Sequence, residues 1–302
     1  MGVYLNPGNE RFLESVSSRI YVDKTGLIAY TNEVIGTRDK FLCVSRPRRF
    51  GKSMTAEMLA AYYGKGDSKH LFVGKAIEQD ASFERHLNRY QVIILNMQEF
   101  LSESSLKEGD GMECKVEKSV LWDLLEEYPD FRYFDSKSLV RTLQDIYTKT
   151  RTPFVFIIDE WDCIFREQKG NRRGQERYLD FLRNLLKDKP YVALAYMTGI
   201  LPVKKYGTHS ALNMFDEYSM ANPRQLAVYT GFTQTEVEQL CRAHDLDAAE
   251  AKRWYDGYQL PLAGGKNLHI YNPRSVVSAM SAGLYDTYWN QTETFEALRD
   301  YI

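Results

Sequence analysis

Four runs of apolar residues have the length and composition of buried β-strands. They lie at residues 41–45, 90–96, 153–158 and 191–197, and a polar residue ends or follows each run. Strands that are apolar on both faces are typical of parallel sheets covered by helices on both sides, whereas half-exposed strands alternate between apolar and polar residues. The four runs therefore predict a central parallel sheet that is buried on both faces.

Segments with apolar residues at helical spacing separate these strands. In 112–128, for example, Val116, Val120 and Leu124 recur every fourth residue and define one face. The segment 102–111 is mostly polar and is predicted to be a loop. The alternation of strands and helices predicts an α/β fold in three layers, with the parallel sheet in the middle. The predicted helices are 11–18, 26–35, 54–62, 112–128, 138–150, 175–187, 233–244, 247–255 and 273–282.

The pattern changes after residue 222. The helices that start at 233 and 247 have capping-box sequences, in which an N-cap Thr or Asp is followed three residues later by Glu. Gly264-Gly265 predicts a hairpin turn, and Asn272-Pro273 predicts the start of a last clear helix, because proline is well tolerated in the first helical turn. The sequence thus predicts a small, mostly helical C-terminal subdomain.

These patterns divide the chain into two predicted parts. Residues 1–222 would form the α/β core with an N-terminal extension, and residues 223–302 a helical or winged-helix-like lid. A helical pattern at 295–302 continues to the last residue without a termination signal. We therefore expect the native protein to continue into a further C-terminal domain.

The composition is that of a globular protein with an ample core. Of the 302 residues, 44% are hydrophobic and 26% are charged, and the formal net charge of −2 argues against a broad nucleic-acid-binding surface. The 4 cysteines include no C-x-x-C pair, and the 5 histidines show no metal-binding spacing. No signal peptide and no apolar run of about 18 residues is visible. We expect a cytoplasmic protein with reduced thiols and no membrane contact.

A basic stretch at 46–53, called the P-loop below, joins the first strand to the next helix. It ends in Gly51-Lys52-Ser53, and a turn of this kind places free backbone N–H groups and the positive end of the helix dipole at one point. Lys52 is predicted to contact the outer phosphates of a nucleotide, and Ser53 to hold Mg²⁺. The residues of this region predicted to bind the nucleotide are Arg46, Pro47, Arg48, Arg49, Phe50, Gly51, Lys52, Ser53 and Met54.

The P-loop departs from the general motif G-x-x-x-x-G-K-[ST] at its first position. Arg46 replaces the first glycine, and Pro47 removes one backbone N–H from the loop. We expect Arg48 and Arg49 to supply positive charge that backbone amides provide in other loops. The alternative interpretation of the stretch alone is a basic surface turn before a helix.

Two adjacent carboxylates follow the strand at 153–158. The carboxyl ends of parallel strands form the ligand crevice of α/β folds, so Asp159 and Glu160 would lie beside the P-loop. Asp159 is predicted to hold Mg²⁺, and Glu160 to orient or deprotonate the attacking water. The alternative is an ordinary strand end with a capping Asp. Asp162 likewise either positions a lid or caps the next turn.

Further candidates come from three positions near the predicted crevice. Thr198 ends the strand after the acidic one, where it would contact the attacking water or the terminal phosphate, or serve only as a turn residue. Asp23 would lie over the nucleotide base, although a helix N-cap at Asp23 or Thr25 explains the same sequence. Lys204 and Lys205 are expected to face phosphate from a loop.

Several short stretches occur in an order that resembles the AAA-ATPase-like family of bacterial and archaeal proteins. They are residues 21–25, 46–53, 157–160 and 254–258, together with 271–273. This family is related to the STAND-type P-loop ATPases. The resemblance spans nearly the whole chain, and the P-loop string is a specific part of it. The resemblance implies a P-loop core with an extra strand between the two nucleotide motifs. It also implies that the missing first glycine is normal in this family.

The resemblance also implies roles for individual residues. Residues 51–53 would bind phosphate and Mg²⁺, Asp159 would be the acid of the second motif, and Glu160 would be the candidate catalytic acid. The arginine that stabilises the transition state stays open among Arg48, Arg49 and a residue of a neighbouring protomer. Many members carry a PD-(D/E)XK restriction-endonuclease-like domain after this region, and the present chain shows no such motif.

The leading hypothesis from the sequence is an Mg²⁺-dependent ATPase that acts as a nucleotide-driven switch, in which ATP closes the C-terminal subdomain over the site. Such a switch would regulate an attached or partner nuclease-like module. A second hypothesis is a nucleotide-binding scaffold that does not hydrolyse ATP. A third is a nucleic-acid-binding module that uses residues 46–52. The expected partners are ATP, a second copy or another protein, and nucleic acid bound through a further C-terminal domain.

Overall fold

The computed structural model describes residues 2–105, 111–203 and 212–288. The strands of its central sheet are β1 (Phe41–Ser45), β2 (Gln91–Asn96), β3 (Phe154–Asp159), β4 (Val192–Gly199) and β5 (Asp216–Tyr218). Their order is β2-β3-β4-β1-β5, and every neighbouring pair is parallel. Because β4 lies between β1 and β3, the structure contains the extra strand expected between the two nucleotide motifs.

Alternate side chains of the strands pack on opposite faces of the sheet. In β1, Phe41 and Cys43 belong to one hydrophobic cluster, and Leu42 and Val44 to the other. Strands β1, β3 and β4 are buried along their whole length, which explains why each is a continuous apolar run in the sequence. The central parallel sheet predicted from these runs is confirmed.

Helices cover both faces of this sheet and complete the three layers predicted from the sequence. Helices α1–α4 pack on one face and α5–α9 on the other. The helices of the core are α1 (Glu10–Val16), α2 (Gly26–Val34), α3 (Lys52–Tyr63), α4 (Phe83–His86), α5 (Met97–Ser105), α6 (Met112–Glu127), α7 (Leu139–Thr150), α8 (Cys163–Glu167) and α9 (Arg172–Leu186). Short 3₁₀ turns occur at Lys69–Phe72, Ala76–Gln79, Arg224–Val228 and Ala263–Gly265.

Several short elements differ from the sequence prediction. The loop predicted at 102–111 is wrong for its first four residues, because α5 continues to Ser105. Phe100 and Leu101 anchor this helix in the core, and the polar residues that follow occupy its last turn. The five-residue helix α8 and the three-residue strand β5 were not predicted, since periodicity is not detectable over so few residues.

Residues 223–288 of the structure, which we call the C-terminal subdomain, combine helices with a small antiparallel sheet. Its strands β6 (Phe232–Thr233), β7 (Tyr258–Pro261) and β8 (Asn267–Tyr271) pair in the order β6-β8-β7. Its helices are α10 (Gln234–Ala243), α11 (Ala248–Tyr255) and α12 (Pro273–Ala282). The three helices and the hairpin turn of this subdomain were predicted from the sequence, but its sheet was not.

The helix caps of this subdomain follow the sequence signals with one difference. Thr233 and Glu236 form the complete capping box that their spacing predicts. Asp247 caps α11, but its side chain accepts a hydrogen bond from the N–H of Ala249, so the predicted box with Glu250 is not the contact found. Among the described residues, no helix is long and apolar enough to cross a bilayer. The predicted helix at 295–302 lies outside the described residues.

Candidate functional site

A cavity of about 950 Å³ opens at the carboxyl ends of the central strands. Its walls come from the P-loop and the start of α3, the acidic end of β3, α8, the N-terminal segment 18–24 and the first turns of α12. This edge of a parallel sheet is where α/β folds bind ligands. The core and the C-terminal subdomain therefore share one cavity.

The P-loop ends in a tight left-handed turn that starts α3. Gly51 is the N-cap residue with φ 82°, and Arg49 has φ 65°. A Cβ atom on Gly51 would meet nothing within 4 Å, so the left-handed backbone and not crowding explains the glycine. No side chain caps this helix, and its first N–H groups lie at the cavity. An anion is the natural partner of such a helix start.

Lys52 is buried within the concave side of this turn. Its Nζ donates hydrogen bonds to the carbonyl oxygens of Arg46 at 3.1 Å and Pro47 at 3.0 Å. Burial lowers the pKa of Lys52, and the carboxylates of Glu160 and Asp159 partly offset that effect. The side chain is thus held by the loop itself, and the carboxylates at the end of β3 act on its ammonium group.

Asp159 accepts hydrogen bonds both from the P-loop side and from β4, and so joins the two. The Ser53 hydroxyl donates to Oδ2 of Asp159 at 2.5 Å, and the Thr198 hydroxyl donates to its Oδ1. The backbone N–H of Glu160 also donates to Oδ1, at 3.0 Å. Thr198 and Asp159 lie close together because β4 is the direct neighbour of β3. Each of the two residues directly follows the last residue pair of these strands, Ile158 with Met197.

Glu160 is held beside this cluster by an arginine of α8. Its backbone is left-handed, with φ 52°, and its carboxylate accepts a hydrogen bond from the Arg166 guanidinium. Burial raises the pKa of Glu160, whereas the positive charges of Lys52 and Arg166 lower it in part. Arg166 also donates from Nε to Asp162 at 3.2 Å. Two carboxylates thus share one guanidinium at the edge of the cavity.

The structure brings most of the predicted site residues to this cavity. Thr198 lies behind Asp159 and does not line the cavity, while Lys204 and Lys205 lie outside the described residues. The predicted residues that line it are Arg48, Arg49, Phe50, Gly51, Lys52, Ser53, Met54, Asp159 and Glu160.

Arg46, Pro47 and Asp23 do not line the cavity, unlike the other predicted nucleotide contacts. The Arg46 side chain is fully buried and donates to the carbonyl oxygens of Ser45 at 2.9 Å and Tyr218 at 2.7 Å, so it joins β1 to β5. Pro47 contributes its carbonyl oxygen to the contact with Lys52.

Asp23 closes a local turn and does not contact the cavity. Its carboxylate accepts hydrogen bonds from the N–H groups of Thr25 at 2.8 Å and Ala76 at 2.7 Å. It therefore ties the start of α2 to the 3₁₀ turn at Ala76–Gln79. The N-cap residue of α2 is Thr25, and its side chain makes no capping hydrogen bond.

Sequence reasoning missed three arginines of the cavity wall, Arg19, Arg166 and Arg274. Arg166 lies six residues after Glu160, and its i, i+4 spacing from Asp162 was a visible signal for an ion pair on a helix. Arg274 lines the cavity from the first turn of α12. A cation there opposes the helix dipole, so the dipole does not account for this arginine.

Comparison with known proteins decides the family. Residues 13–208 match the family described as "Predicted AAA-ATPase". The chain belongs to this AAA-ATPase-like family. The match covers the P-loop, the Asp159-Glu160 pair and Thr198, so the family resemblance expected from the sequence is confirmed, and it supports a nucleotide-binding protein of the ATPase type.

Individual relatives of this AAA-ATPase-like chain are distant. An uncharacterized protein in the vnfD 5′ region of Azotobacter chroococcum mcd 1 is 24% identical over 291 residues, which cover 93% of this chain and 52% of that protein. The chain therefore spans about half the length of this relative.

Solved structures are similar only at low scores. The Aeropyrum pernix ORC1 protein in complex with DNA has a TM-score of 0.42 and 13% identity over 83% of this chain and 55% of that chain. Domain III of the Thermotoga maritima replication initiation protein DnaA has a TM-score of 0.38 and 9% identity over 96% of both chains. Scores this low support no inference about function.

Proposed function

We propose that this protein binds Mg²⁺-ATP in the cavity and hydrolyses it, and that the reaction drives a switch between the core and the C-terminal subdomain. The observation that carries the proposal is the meeting of Lys52, Ser53 and the start of α3 with Asp159 and Glu160 at one end of the cavity. A helix start, a buried lysine and an acid pair are the parts that phosphoryl transfer requires.

The phosphates would lie between the helix start and the basic side chains. The first N–H groups of α3 offer hydrogen-bond donors without an internal partner, and Lys52 adds a buried ammonium group, whose attraction for phosphate is less screened by water than at the surface. Arg48 and Arg49 reach the same cavity from the P-loop, and Arg274 reaches it from α12. A polyphosphate is the ligand class that matches this distribution of donors and charge.

The oxygen atoms of Ser53 and Asp159 fit a magnesium site. They already lie at hydrogen-bonding distance, 2.5 Å, at the mouth of the P-loop. Mg²⁺ in nucleotide sites typically takes one or two protein oxygens and completes its shell with phosphates and water. Within the described part of the chain no cluster of three or more His, Cys, Asp or Glu side chains forms a self-sufficient metal site, which agrees with a metal held jointly with a nucleotide. When bound, the ion would neutralise phosphate charge.

Hydrolysis requires a group that orients water in line with the terminal phosphorus. Glu160 would take this role, and its position after Asp159 at the strand end and in the cavity wall supports the assignment. In the proposed reaction the water oxygen attacks the terminal phosphorus, a water proton passes to the Glu160 carboxylate, and the bond to the bridging oxygen of ADP breaks. Thr198 does not line the cavity, and its hydroxyl group would help to position Asp159 through their hydrogen bond.

Contacts between the P-loop and the C-terminal subdomain support the proposed switch. Phe50 is a P-loop residue, yet its ring packs against Tyr258 of β7, with ring centroids 5.0 Å apart. The carbonyl oxygen of Phe50 also accepts a hydrogen bond from the N–H of Gly231 at 2.9 Å. A nucleotide bound by the P-loop would therefore act directly on the C-terminal subdomain, and the nuclease-like module stays a prediction for what such a switch controls.

A non-hydrolysing nucleotide scaffold is the second candidate function. The observation that favours it is the ion pair between Glu160 and Arg166, which engages the carboxylate that hydrolysis needs. One variant, Glu160→Gln, distinguishes the two candidate functions. In Glu160→Gln, an ATPase loses turnover and keeps nucleotide binding, whereas a scaffold shows no turnover in either protein.

The first experiment is calorimetric titration of the protein with Mg²⁺-ATP, with phosphate release followed in parallel. We expect binding and release by the wild type, and loss of both in Lys52→Ala. Lys65→Ala is the matched control, because Lys65 is exposed just after α3 and away from the cavity. Absence of binding by the wild type, or equal binding by Lys52→Ala, would refute the proposed function.

A further inference from the structure

Arg166 occupies a position that the proposed reaction does not yet explain. Only 10% of its side chain is exposed, and it lines the same cavity as the P-loop. Its guanidinium donates to the Glu160 carboxylate at one end and to Asp162 at the other. A guanidinium with two carboxylate partners at the edge of a cavity can exchange one partner while the other holds it in place.

Asp162 is the fixed partner of this pair. Its side chain is fully buried, and its Oδ2 accepts hydrogen bonds from the N–H groups of Ile200 at 3.0 Å and Leu201 at 2.7 Å. A Cβ atom on Gly199 would lie 2.9 Å from Oδ1 of Asp162, so glycine allows this close approach. Asp162 thus anchors Arg166 to the segment after β4, whichever group the other end of the guanidinium contacts.

Glu160 is the exchangeable partner. Its side chain is 23% exposed at the cavity wall, against 0% for Asp162. The hydrogen bond from Arg166 uses a lone pair of the same carboxylate that would accept a water proton. The charge of Arg166 also acts on Lys52, where it lowers the pKa of the ammonium group. Lys52 and Arg166 both also lower the pKa of Glu160, so both cations act on this carboxylate.

A terminal phosphate at Lys52 would compete with Glu160 for this guanidinium. It carries more negative charge than a carboxylate and offers oxygens that match the planar donor pair of arginine. ADP lacks the γ-phosphate, so no phosphate oxygens would lie at the position of the terminal phosphate of ATP beside Arg166. The competition therefore depends on the nucleotide being a triphosphate.

We propose that Arg166 exchanges Glu160 for the terminal phosphate of a bound nucleoside triphosphate, and that this exchange releases Glu160 to orient water. The proposal rests on the proposed function, and it adds a residue that distinguishes ATP from ADP within one chain. Arg166 then contacts the substrate, whereas Asp162 is a positioning residue.

The test compares the affinities of variants for ADP and for the non-hydrolysable analogue AMPPNP, both with Mg²⁺, by calorimetry. We expect Arg166→Gln to weaken AMPPNP binding about 10- to 100-fold, the effect of one charge-assisted hydrogen bond, and to change ADP binding less than about twofold. Arg166→Lys keeps the charge without the planar donor pair and should lie between. Arg173→Gln, an exposed arginine of α9 away from the cavity, is the matched control.

Glu160→Gln supplies the second arm of the test. If Glu160 competes for Arg166, its neutralisation should raise AMPPNP affinity several-fold and leave ADP affinity unchanged. The double variant Arg166→Gln/Glu160→Gln distinguishes a direct contact between Arg166 and the phosphate from repulsion of the phosphate by an unpaired Glu160. Loss of AMPPNP affinity that persists in the double variant supports a direct phosphate contact. Affinity restored to the wild-type value would show that an unpaired Glu160 merely repels phosphate, and would overturn the proposal.

The remaining outcomes are also decisive. Equal losses for ADP and AMPPNP in Arg166→Gln, or no loss for either, would overturn the proposal and leave the proposed function standing. No binding of either nucleotide by the wild type would refute the proposed function and this inference with it. If circular dichroism shows that Arg166→Gln is unfolded, the test relies on Arg166→Lys. The proposal then requires that Arg166→Lys lose affinity for AMPPNP but not for ADP.

Discussion

At the scale of single residues, the site depends on how Asp159 is held. Three donors converge on its carboxylate: the hydroxyl groups of Ser53 and Thr198 and the N–H of Glu160. A carboxylate fixed by several donors keeps one orientation, which suits a metal ligand. Thr198 therefore acts through Asp159, although the sequence alone suggested a direct contact with water or phosphate.

Replacement of Thr198 by valine tests this positioning role. The change keeps the shape of the side chain and removes the hydroxyl, so one oxygen of a buried carboxylate loses a donor. We expect the free energy of unfolding to fall by about 1–3 kcal/mol, measured by urea denaturation. We also expect slower phosphate release at unchanged ADP affinity. Thr198→Ser retains the hydroxyl and should restore both properties, and a stable Thr198→Val would contradict the argument.

Arg46 shows why some residues of the P-loop were beyond sequence reasoning. Its place in a basic cluster predicted a phosphate contact, but its guanidinium is buried against Tyr218 of β5. That partner lies 172 residues away in a strand of three residues, Asp216–Tyr218, which has no apolar pattern. By contrast, Lys52, Ser53 and Asp159 were predictable because a strand–turn–helix motif and a strand end fix their positions locally.

At the scale of elements, the P-loop and the small sheet of the C-terminal subdomain are packed together. Phe50 forms a cluster with Ala227, Leu260 and Ile270, and its ring is 1% exposed. The four long strands and most helices followed from apolar periodicity. The short strands β6, β7 and β8 did not, because their residues mix polarity and their pairing is a tertiary property.

Truncation of Phe50 should reveal this packing. We expect Phe50→Ala to lower the free energy of unfolding by about 3–5 kcal/mol, as for other buried phenylalanines. Phe134 is 84% exposed, so Phe134→Ala is the matched control and should change stability by less than about 0.5 kcal/mol. Limited proteolysis should also cut the C-terminal subdomain faster in Phe50→Ala. Equal stability of the two variants would show that the ring does not join the parts.

Gly231 makes the same junction sensitive to a single methyl group. Its φ is 82°, and a Cβ atom would lie 2.4 Å from Cγ2 of Ile270 and 3.1 Å from Cδ1 of Phe50. Gly264 has a similar φ of 79° but meets nothing within 4 Å. Gly264→Ala should therefore cost only backbone strain, about 1–2 kcal/mol, and Gly231→Ala roughly 1–3 kcal/mol more. Denaturant unfolding of both variants measures the difference, and equal losses would exclude the steric effect.

At the scale of the whole molecule, the cavity is closed by parts that are distant in sequence. The N-terminal segment reaches the C-terminal subdomain through Lys24, whose Nζ lies 2.6 Å from Glu236 and donates to the carbonyl oxygen of Val228 at 2.8 Å. Arg274 approaches the same cavity from α12. The class of fold followed from local patterns. The placement of the C-terminal subdomain over the cavity did not, because it depends on contacts such as Lys24 with Glu236, which lie 212 residues apart.

The last prediction concerns Arg274 of α12, which lines the cavity. A nucleotide bound to the core would contact α12 through the guanidinium of this residue. Hydrogen exchange followed by mass spectrometry should show that saturating Mg²⁺-ATP slows exchange both in the P-loop and in Pro273–Ala282 of the wild type. In Arg274→Gln, protection of the P-loop should remain and protection of α12 should be lost, since the phosphates then have no partner on that helix. Arg253→Gln, at an exposed position of α11, is the control and should behave as the wild type. Undiminished protection of α12 in Arg274→Gln would mean that other walls of the cavity transmit nucleotide binding to the subdomain, with Phe50 the first of them to test.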